Sequence, residues 1–265
     1  MCIVHCAFRI VHFALSIVFI DFARLIKYDR VMGYFIAIGV LSVVCAGVKA
    51  YCDVHNHKHR EFVFKLFASL LFLACGVIAL LFNKQSFDYG IFILCALVFG
   101  AIGDILLCLD AFFPDGSYDE NFFSIIGTAN FFAGHIIYLI LLYYYAPISQ
   151  TPYLLLALPV LPLVMLALMV MGKITLSRTK SVLMLFYFLV LGGTIVGGVS
   201  FYLGNPSKAG IIVIVATCLF TFSDIILGLK HYCPAARIPH RVAPYLVMLS
   251  YCTAQVLYAL SVFYF

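Results

Sequence analysis

Long apolar runs, separated by short turns that contain charged, Pro or Gly residues, fill the chain from residue 33 to its end. Each run is about as long as the roughly 20 residues that an α-helix needs to cross a bilayer core. Helices are expected, because a backbone in lipid must satisfy its own hydrogen bonds. The eight predicted transmembrane helices cover residues 33–52, 62–82, 88–109, 121–145, 152–172, 180–202, 209–230 and 243–264.

A further apolar stretch precedes these runs and is interrupted by Arg9 and His12. It lacks the small-residue cleavage pattern of a signal peptide, so we predict a retained spanning or interfacial helix. The expected organisation is an N-terminal hydrophobic helix and linker at residues 1–30, followed by an eight-helix membrane domain at residues 31–265. The fold class is an all-α polytopic membrane protein.

Composition supports this class and excludes others. The chain has 265 residues, of which 65% are hydrophobic and 10% charged, against about 25% charged residues in soluble domains. The net charge of +5 is spread over the loops without a dense basic run, so no nucleic-acid partner is predicted. The loops after the first, fifth and seventh helices are richer in Lys and Arg, which favours placing them in the cytosol.

An internal repeat relates the third predicted helix to the seventh. Asp104 and Asp224 both begin the pattern D-I-[LI]-L-x-L and stand 120 positions apart. At the same offset, residues 133–144 overlay residues 253–264. Two repeats of four helices are therefore predicted, and they should be parallel because four spans return the chain to its starting side. Chance similarity between apolar helices is the alternative.

The two aspartates are also the first candidates for chemistry. A charged residue at the centre of a membrane helix costs about 2.5–3.5 kcal/mol, so a function is expected for it. Asp104 and Asp224 lie in the last third of their helices, His135 lies near mid-membrane, and Lys65 and Tyr187 lie near helix starts on the same side. These groups are predicted to share one half of the bilayer. In the structural alternative, the acids only tie helices together or pair with Lys65.

Other polar residues extend this set. Helical spacing places Tyr138 on the same face as His135, whereas Asn130 points about 140° away from it. The repeat aligns Gln255 with His135, so only one half supplies a titratable ring.

Metal and nucleotide chemistries have no clear support in the sequence. The alternating histidines of residues 55–59 lie in a charged loop without a second ligand cluster, so a solvated loop is preferred over a metal site. The GxSxG, P-loop, HExxH and GxGxxG patterns are absent from the sequence. No metal or organic cofactor is predicted.

Three segments carry a family resemblance: GDILL at residues 103–107, GTANFFAGHIIYL at residues 127–139 and FTFSDIIL at residues 220–227. Together they resemble the YhhN-like lysoplasmalogenase family of eight-helix membrane proteins, over roughly residues 33–264. The resemblance implies hydrolysis of the vinyl ether bond of lysoplasmalogens, which gives a fatty aldehyde and glycerophosphocholine or glycerophosphoethanolamine. It also implies a location in the endoplasmic reticulum.

This reaction suits the polar residues, because it needs a protonated acid and an anionic group that stabilises the cation and activates water. We predict that Asp104 and Asp224 form that pair and hold one proton between them, with His135 as a relay or orienting residue. The expected partners are a lysophospholipid, water and the bilayer, with the lipid phosphate near Lys65 or Lys180. The predicted substrate-binding residues are Lys65, Asn130, Tyr138, Tyr187 and Gln255.

Two other classes of function fit the same residues. In a proton-coupled transporter, the two acids and His135 would form a relay across the membrane. A non-catalytic lipid-binding protein would keep the fold without the chemistry. The predicted clustering in one half of the bilayer favours the enzyme, since a relay should be distributed in depth.

Overall fold

The computed structural model describes residues 28–82, 87–110, 112–113, 118–146, 152–172, 174, 178–204, 206–233 and 238–265. Within these residues all regular structure is helical. The α-helices are α1 (Tyr28–Val54), α2 (Lys58–Phe82), α3 (Phe87–Asp110), α4 (Tyr118–Tyr145), α5 (Val160–Val170), α6 (Arg178–Gly204), α7 (Lys208–Tyr232) and α8 (Ala243–Tyr264). Most of the predicted N-terminal helix, residues 1–27, lies outside the described residues.

Eight segments in the described residues are long and apolar enough to cross a membrane, as the hydrophobic pattern predicts. The all-α polytopic fold class is therefore confirmed. Contacts divide the chain into two compact units, residues 1–37 and residues 38–265. Every residue of the candidate site lies in the second unit.

The fifth span differs from the single helix predicted at residues 152–172. It consists of a 3₁₀ helix, Pro152–Ala157, followed by α5. Pro159 stands at the break, where its ring removes a backbone donor and clashes with the preceding turn. The 11 residues of α5 extend about 16 Å, so α5 needs the 3₁₀ helix to span the roughly 30 Å of a bilayer core.

The packing of the helices follows the predicted repeat. Helix α2 packs against α8, and at the equivalent positions α6 packs against α4. The pairs α3–α4 and α7–α8, which the repeat also makes equivalent, are the most extensive in the bundle. Equivalent helices of the two halves therefore make equivalent contacts, which supports the internal repeat.

Aromatic rings mark the boundary between the halves. Three residues of α4, spaced seven apart, each contact the residue 120 positions later. The pairs are Phe131 with Tyr251, Tyr138 with Tyr258, and Tyr145 with Phe265, at ring-centroid distances of 5.7, 3.9 and 4.8 Å. A residue can touch its own equivalent only near the axis that relates two repeats. The order of the pairs also shows that α4 and α8 run in the same direction, as parallel repeats require.

Candidate active site

Asp104 has no exposed surface, and side chains of α2 and α8 surround its carboxylate. Ser69 Oγ donates to Oδ2 at 2.6 Å, and Tyr251 OH donates to the same oxygen at 3.0 Å. Oδ1 lies 2.8 Å from Lys65 Nζ, although this ion pair lacks the geometry of a hydrogen bond. Both hydrogen bonds to the Asp104 carboxylate are donated by hydroxyl groups, and its other oxygen faces the lysine ammonium group.

Lys65 is occupied by protein groups. Besides Asp104, its Nζ lies 3.2 Å from Met248 Sδ and 5.2 Å from the centre of the Tyr251 ring. The structure therefore realises the alternative in which the lysine pairs with an acid. The predicted contact between Lys65 and a substrate phosphate gains no support from this geometry and stays a prediction.

A buried hydrogen-bond chain extends from Asp104 to α4. Gln255 Nε2 donates to Tyr251 OH at 3.1 Å, and Tyr138 OH donates to Gln255 Oε1 at 3.0 Å. Gly100 of α3 makes room for this chain, since a Cβ there would lie 2.5 Å from Gln255 Nε2. The predicted site residues Gln255 and Tyr138 thus belong to the Asp104 cluster.

Asp224 has different neighbours and a side chain that is 10% exposed. Tyr187 OH donates to its Oδ2 at 2.6 Å, and His135 Nε2 lies 3.1 Å from the same oxygen. The other oxygen, Oδ1, makes no hydrogen bond within the described residues. This carboxylate therefore joins α7 to α4 and α6 and keeps one oxygen available.

His135 has one ring nitrogen engaged and one without a partner. When Nε2–H donates to Asp224, Nδ1 of the neutral ring is an acceptor. The residue is 2% exposed, and its Nδ1 is buried with no hydrogen-bond partner in the part of the chain that the structure describes. Buried polar atoms without a partner are rare in proteins. An imidazole held from behind by a carboxylate, with its other nitrogen available, is an arrangement that can take up and give a proton.

The two carboxylates have separate sets of hydrogen-bond partners. No hydrogen bond joins Asp104 to Asp224 among the described residues, and the Phe220 ring contacts both clusters. Its centroid lies 4.3 Å from that of His135 and 5.3 Å from that of Tyr251. The prediction of one proton held between the acids gains no support from this geometry and stays a prediction, because each acid turns towards donors on a different set of helices.

Two predicted polar features lie outside both clusters. Asn130 Nδ2 donates to Ile126 O of its own helix at 2.8 Å, so its role in substrate binding stays a prediction. In the loop of alternating histidines, His55 Nδ1 contacts Tyr51 O at 2.8 Å. No group of three His, Cys, Asp or Glu side chains in the described ranges is placed to hold a metal ion.

Sequence reasoning misses three residues of the site. Ser69 stands four positions after Lys65, so helical spacing places both on one face of α2 and could have found it. Helical spacing does place Thr221 on the face of α7 that carries Asp224, but not among the predicted site residues; its buried hydroxyl oxygen has no hydrogen-bond partner in the described residues. Phe220 is one of 26 phenylalanines, and nothing in the sequence distinguishes it.

Eight apolar spans and a buried aspartate–histidine pair define a polytopic membrane protein with a candidate acid–base site inside its helix bundle. The chain belongs to the YhhN family, whose family model matches residues 60–262. This range contains both aspartates and His135, and it confirms the resemblance seen in the sequence. No curated protein and no solved structure matches the chain.

Proposed function

We propose that this protein hydrolyses the vinyl ether bond of lysoplasmalogens and that His135 and Asp224 are its acid–base pair. The observation that carries the proposal is the geometry of His135. Its Nε2 faces the Asp224 carboxylate at 3.1 Å, while its Nδ1 is buried and has no hydrogen-bond partner among the described residues. Membership of the YhhN family supports a hydrolase of the membrane.

The chemistry of a vinyl ether needs one group that moves protons. A proton is added to the β-carbon, and the adjacent α-carbon becomes an oxocarbenium ion. Water then adds to the α-carbon and gives a hemiacetal, which breaks into an aldehyde and an alcohol. Protonated His135 can supply the first proton from Nδ1 and, once neutral, accept a proton from the attacking water.

Asp224 and Tyr187 support the imidazole in this scheme. The Asp224 carboxylate lies on the Nε2 side of the ring, so it fixes the ring orientation. Tyr187 donates to the same carboxylate oxygen at 2.6 Å and limits its movement. The cationic intermediate would form on the Nδ1 side of the ring, and the carboxylate on the Nε2 side would offset part of its charge across the low-dielectric interior.

Asp104 has a positioning role in this proposal. Its charge is balanced by Lys65 at 2.8 Å, and both its oxygens already have partners. Through Tyr251 and Gln255 it reaches Tyr138, which stands one turn after His135 on α4. We therefore assign Asp104 to holding α2, α3, α4 and α8 together rather than to proton transfer.

The hydrocarbon chain of the substrate is assigned to an apolar groove beside the acid–base pair. This groove, of about 510 Å³ including its open side, lies between α5, α6 and α7. Ile225 and Gly228 line it within one turn of Asp224, and Phe188 lines it next to Tyr187. An apolar lining of this kind suits a single hydrocarbon chain.

The direct test is aldehyde release by purified protein in lipid nanodiscs. A lysoplasmalogen is compared with the 1-alkyl lysolipid, which lacks only the double bond, and with the 1-acyl lysolipid. We expect aldehyde from the vinyl ether and no product from the other two. Proton flux into sealed proteoliposomes without aldehyde release would replace the proposal with a transporter, and neither activity would replace it with a lipid-binding protein.

Residence in the endoplasmic reticulum belongs to the same proposal and rests on the family resemblance. A fluorescently tagged full-length chain should overlap with a marker of that membrane in cells. Overlap with a plasma-membrane marker instead would contradict this location without affecting the proposed reaction.

A further inference from the structure

Thr221 has an unusual hydroxyl group. The residue is 3% exposed, and its Oγ1 is buried with no hydrogen-bond partner in the described structure. A threonine in a helix normally donates to a carbonyl oxygen of the preceding turn. Thr217, one turn earlier on α7, does so at 2.8 Å, as does Thr128 on α4. The Thr221 hydroxyl is therefore left for a group other than its own backbone.

Thr221 and His135 are both neighbours of Asp224, the first along α7 and the second through a hydrogen bond. Thr221 stands one turn before Asp224, which binds His135 Nε2. Its neighbour Phe220 packs against the imidazole with a centroid distance of 4.3 Å. Two of the three buried side-chain polar atoms without a hydrogen bond in the described residues are therefore Thr221 Oγ1 and His135 Nδ1. The third, Asp104 Oδ1, has its ion pair with Lys65.

We infer that Thr221 Oγ1 and His135 Nδ1 together bind the water molecule that attacks the substrate. Buried polar atoms that lack protein partners are commonly satisfied by an ordered water, which needs at least two polar contacts. One hydroxyl and one imidazole nitrogen supply those contacts. The inference deepens the proposed function, on which it rests, and makes Thr221 a positioning residue.

The water molecule enters the reaction after the first proton transfer. When His135 Nδ1–H has protonated the β-carbon, the water oxygen forms a bond to the cationic α-carbon. One water proton moves to the now neutral Nδ1, and the other O–H bond of the water is directed at Thr221 Oγ1. The resulting hemiacetal breaks when His135 protonates the glycerol oxygen and takes up the hydroxyl proton. The products are aldehyde and alcohol, and the imidazole ends protonated as it began.

Replacing Thr221 by Val tests this assignment, because Val has the shape of Thr but lacks the hydroxyl. We expect kcat/KM to fall about tenfold, the value of one lost hydrogen bond. Slow capture by water also lets the oxocarbenium ion return a proton to His135. In D₂O, substrate recovered from the Thr221→Val reaction should therefore carry deuterium at its β-carbon, whereas wild-type substrate should not.

Two further variants separate positioning from structure. Thr221→Ser restores a hydroxyl and should recover most of the turnover with little deuterium exchange. Thr194→Val removes a buried hydroxyl that donates to the Leu191 carbonyl oxygen of the same helix. This variant should have the turnover and deuterium exchange of the wild type. Wild-type turnover and no exchange in Thr221→Val would overturn the inference, as would equal losses in the Ser and Val variants.

A crystal structure that resolves ordered water tests the site without any turnover. A water within hydrogen-bond distance of both Thr221 Oγ1 and His135 Nδ1 is expected in the wild type and not in Thr221→Val. Its absence from the wild type would overturn the inference even if aldehyde is released. Wild-type protein that binds this water but releases no aldehyde would instead refute the proposed function.

Discussion

Asp104 and Asp224 occupy equivalent positions in the two halves of the bundle, yet their surroundings differ. Asp104 is fully buried and meets a lysine and two hydroxyl donors. Asp224 is 10% exposed and meets a histidine and one tyrosine. The repeat therefore keeps an acid in each half, but it pairs Asp104 with a lysine and Asp224 with a histidine.

This difference separates a lysine–carboxylate ion pair from a histidine–carboxylate pair. A lysine beside a carboxylate in a dry interior keeps both charges paired, and its value lies in holding helices together. A histidine held by a carboxylate through one ring nitrogen presents its other nitrogen as a donor or an acceptor. One half thus has the features of a structural anchor, and the other half has those of a site that moves protons.

The largest expected effect comes from removing the imidazole. His135→Gln should lower kcat about 10²- to 10⁴-fold, the usual contribution of a general acid–base group. Because the Gln side chain can still reach towards Asp224, the unfolding midpoint should change little. His240→Gln, in the exposed turn before α8, is the matched control and should keep normal turnover. Near-normal kcat in His135→Gln would refute the role of the histidine.

Removing the Asp104 carboxylate should lower the free energy of unfolding. Asp104→Ala leaves Lys65 as an unpaired buried charge, which costs about 3–5 kcal/mol. Denaturant unfolding in detergent would measure this loss. Asp88→Ala, at the exposed start of α3, is the matched control, and we expect it to unfold as the wild type does. A loss below about 1 kcal/mol in Asp104→Ala, the scale of an exposed ion pair, would show that the ion pair is not an anchor.

Two tyrosines make the comparison sharper, because each donates one hydrogen bond to one acid. Tyr187→Phe removes the 2.6 Å bond to Asp224 and Tyr251→Phe removes the 3.0 Å bond to Asp104. We expect Tyr187→Phe to lower kcat about tenfold and Tyr251→Phe to lower stability by about 1.5 kcal/mol. The comparison fails if the two variants have the same profile in both measurements.

The smallest effect is expected in the apolar groove. A Cβ at Gly228 would have only Phe188 Cζ near it, at 3.9 Å, so Gly228→Leu can fill space without disturbing the helices. It should raise KM about fourfold for long-chain substrates, the value of roughly one buried methylene group. Short-chain substrates should be less affected. Gly33→Leu, an exposed position with nothing within 4 Å of its Cβ, serves as the control.

The hydrophobic pattern predicts the spans well, because lipid demands about the same apolar length from every helix. It does not predict the break in the fifth span, because apolarity alone does not show the effect of Pro159 on the backbone. The pattern also identifies the two acids and His135, since polar groups stand out in apolar helices. It does not reveal their partners, because the rotation of each helix about its axis depends on packing across the bundle. The pairing of Asp104 with Lys65 rather than with Asp224 is decided at that level.

We propose that His135 and Asp224 transfer the proton and that Asp104 and Lys65 do not. A comparison of two variants tests this division of roles. Lys65→Met combined with Asp104→Asn removes both charges of the anchor while leaving an amide oxygen that can accept from the nearby hydroxyls. Aldehyde release is measured per mole of folded protein and compared with that of Asp224→Asn. We expect the double variant to keep substantial turnover and Asp224→Asn to lose it. A folded double variant without activity, together with an active Asp224→Asn variant, would show that the Asp104–Lys65 pair, and not the His135–Asp224 pair, carries the proton transfer.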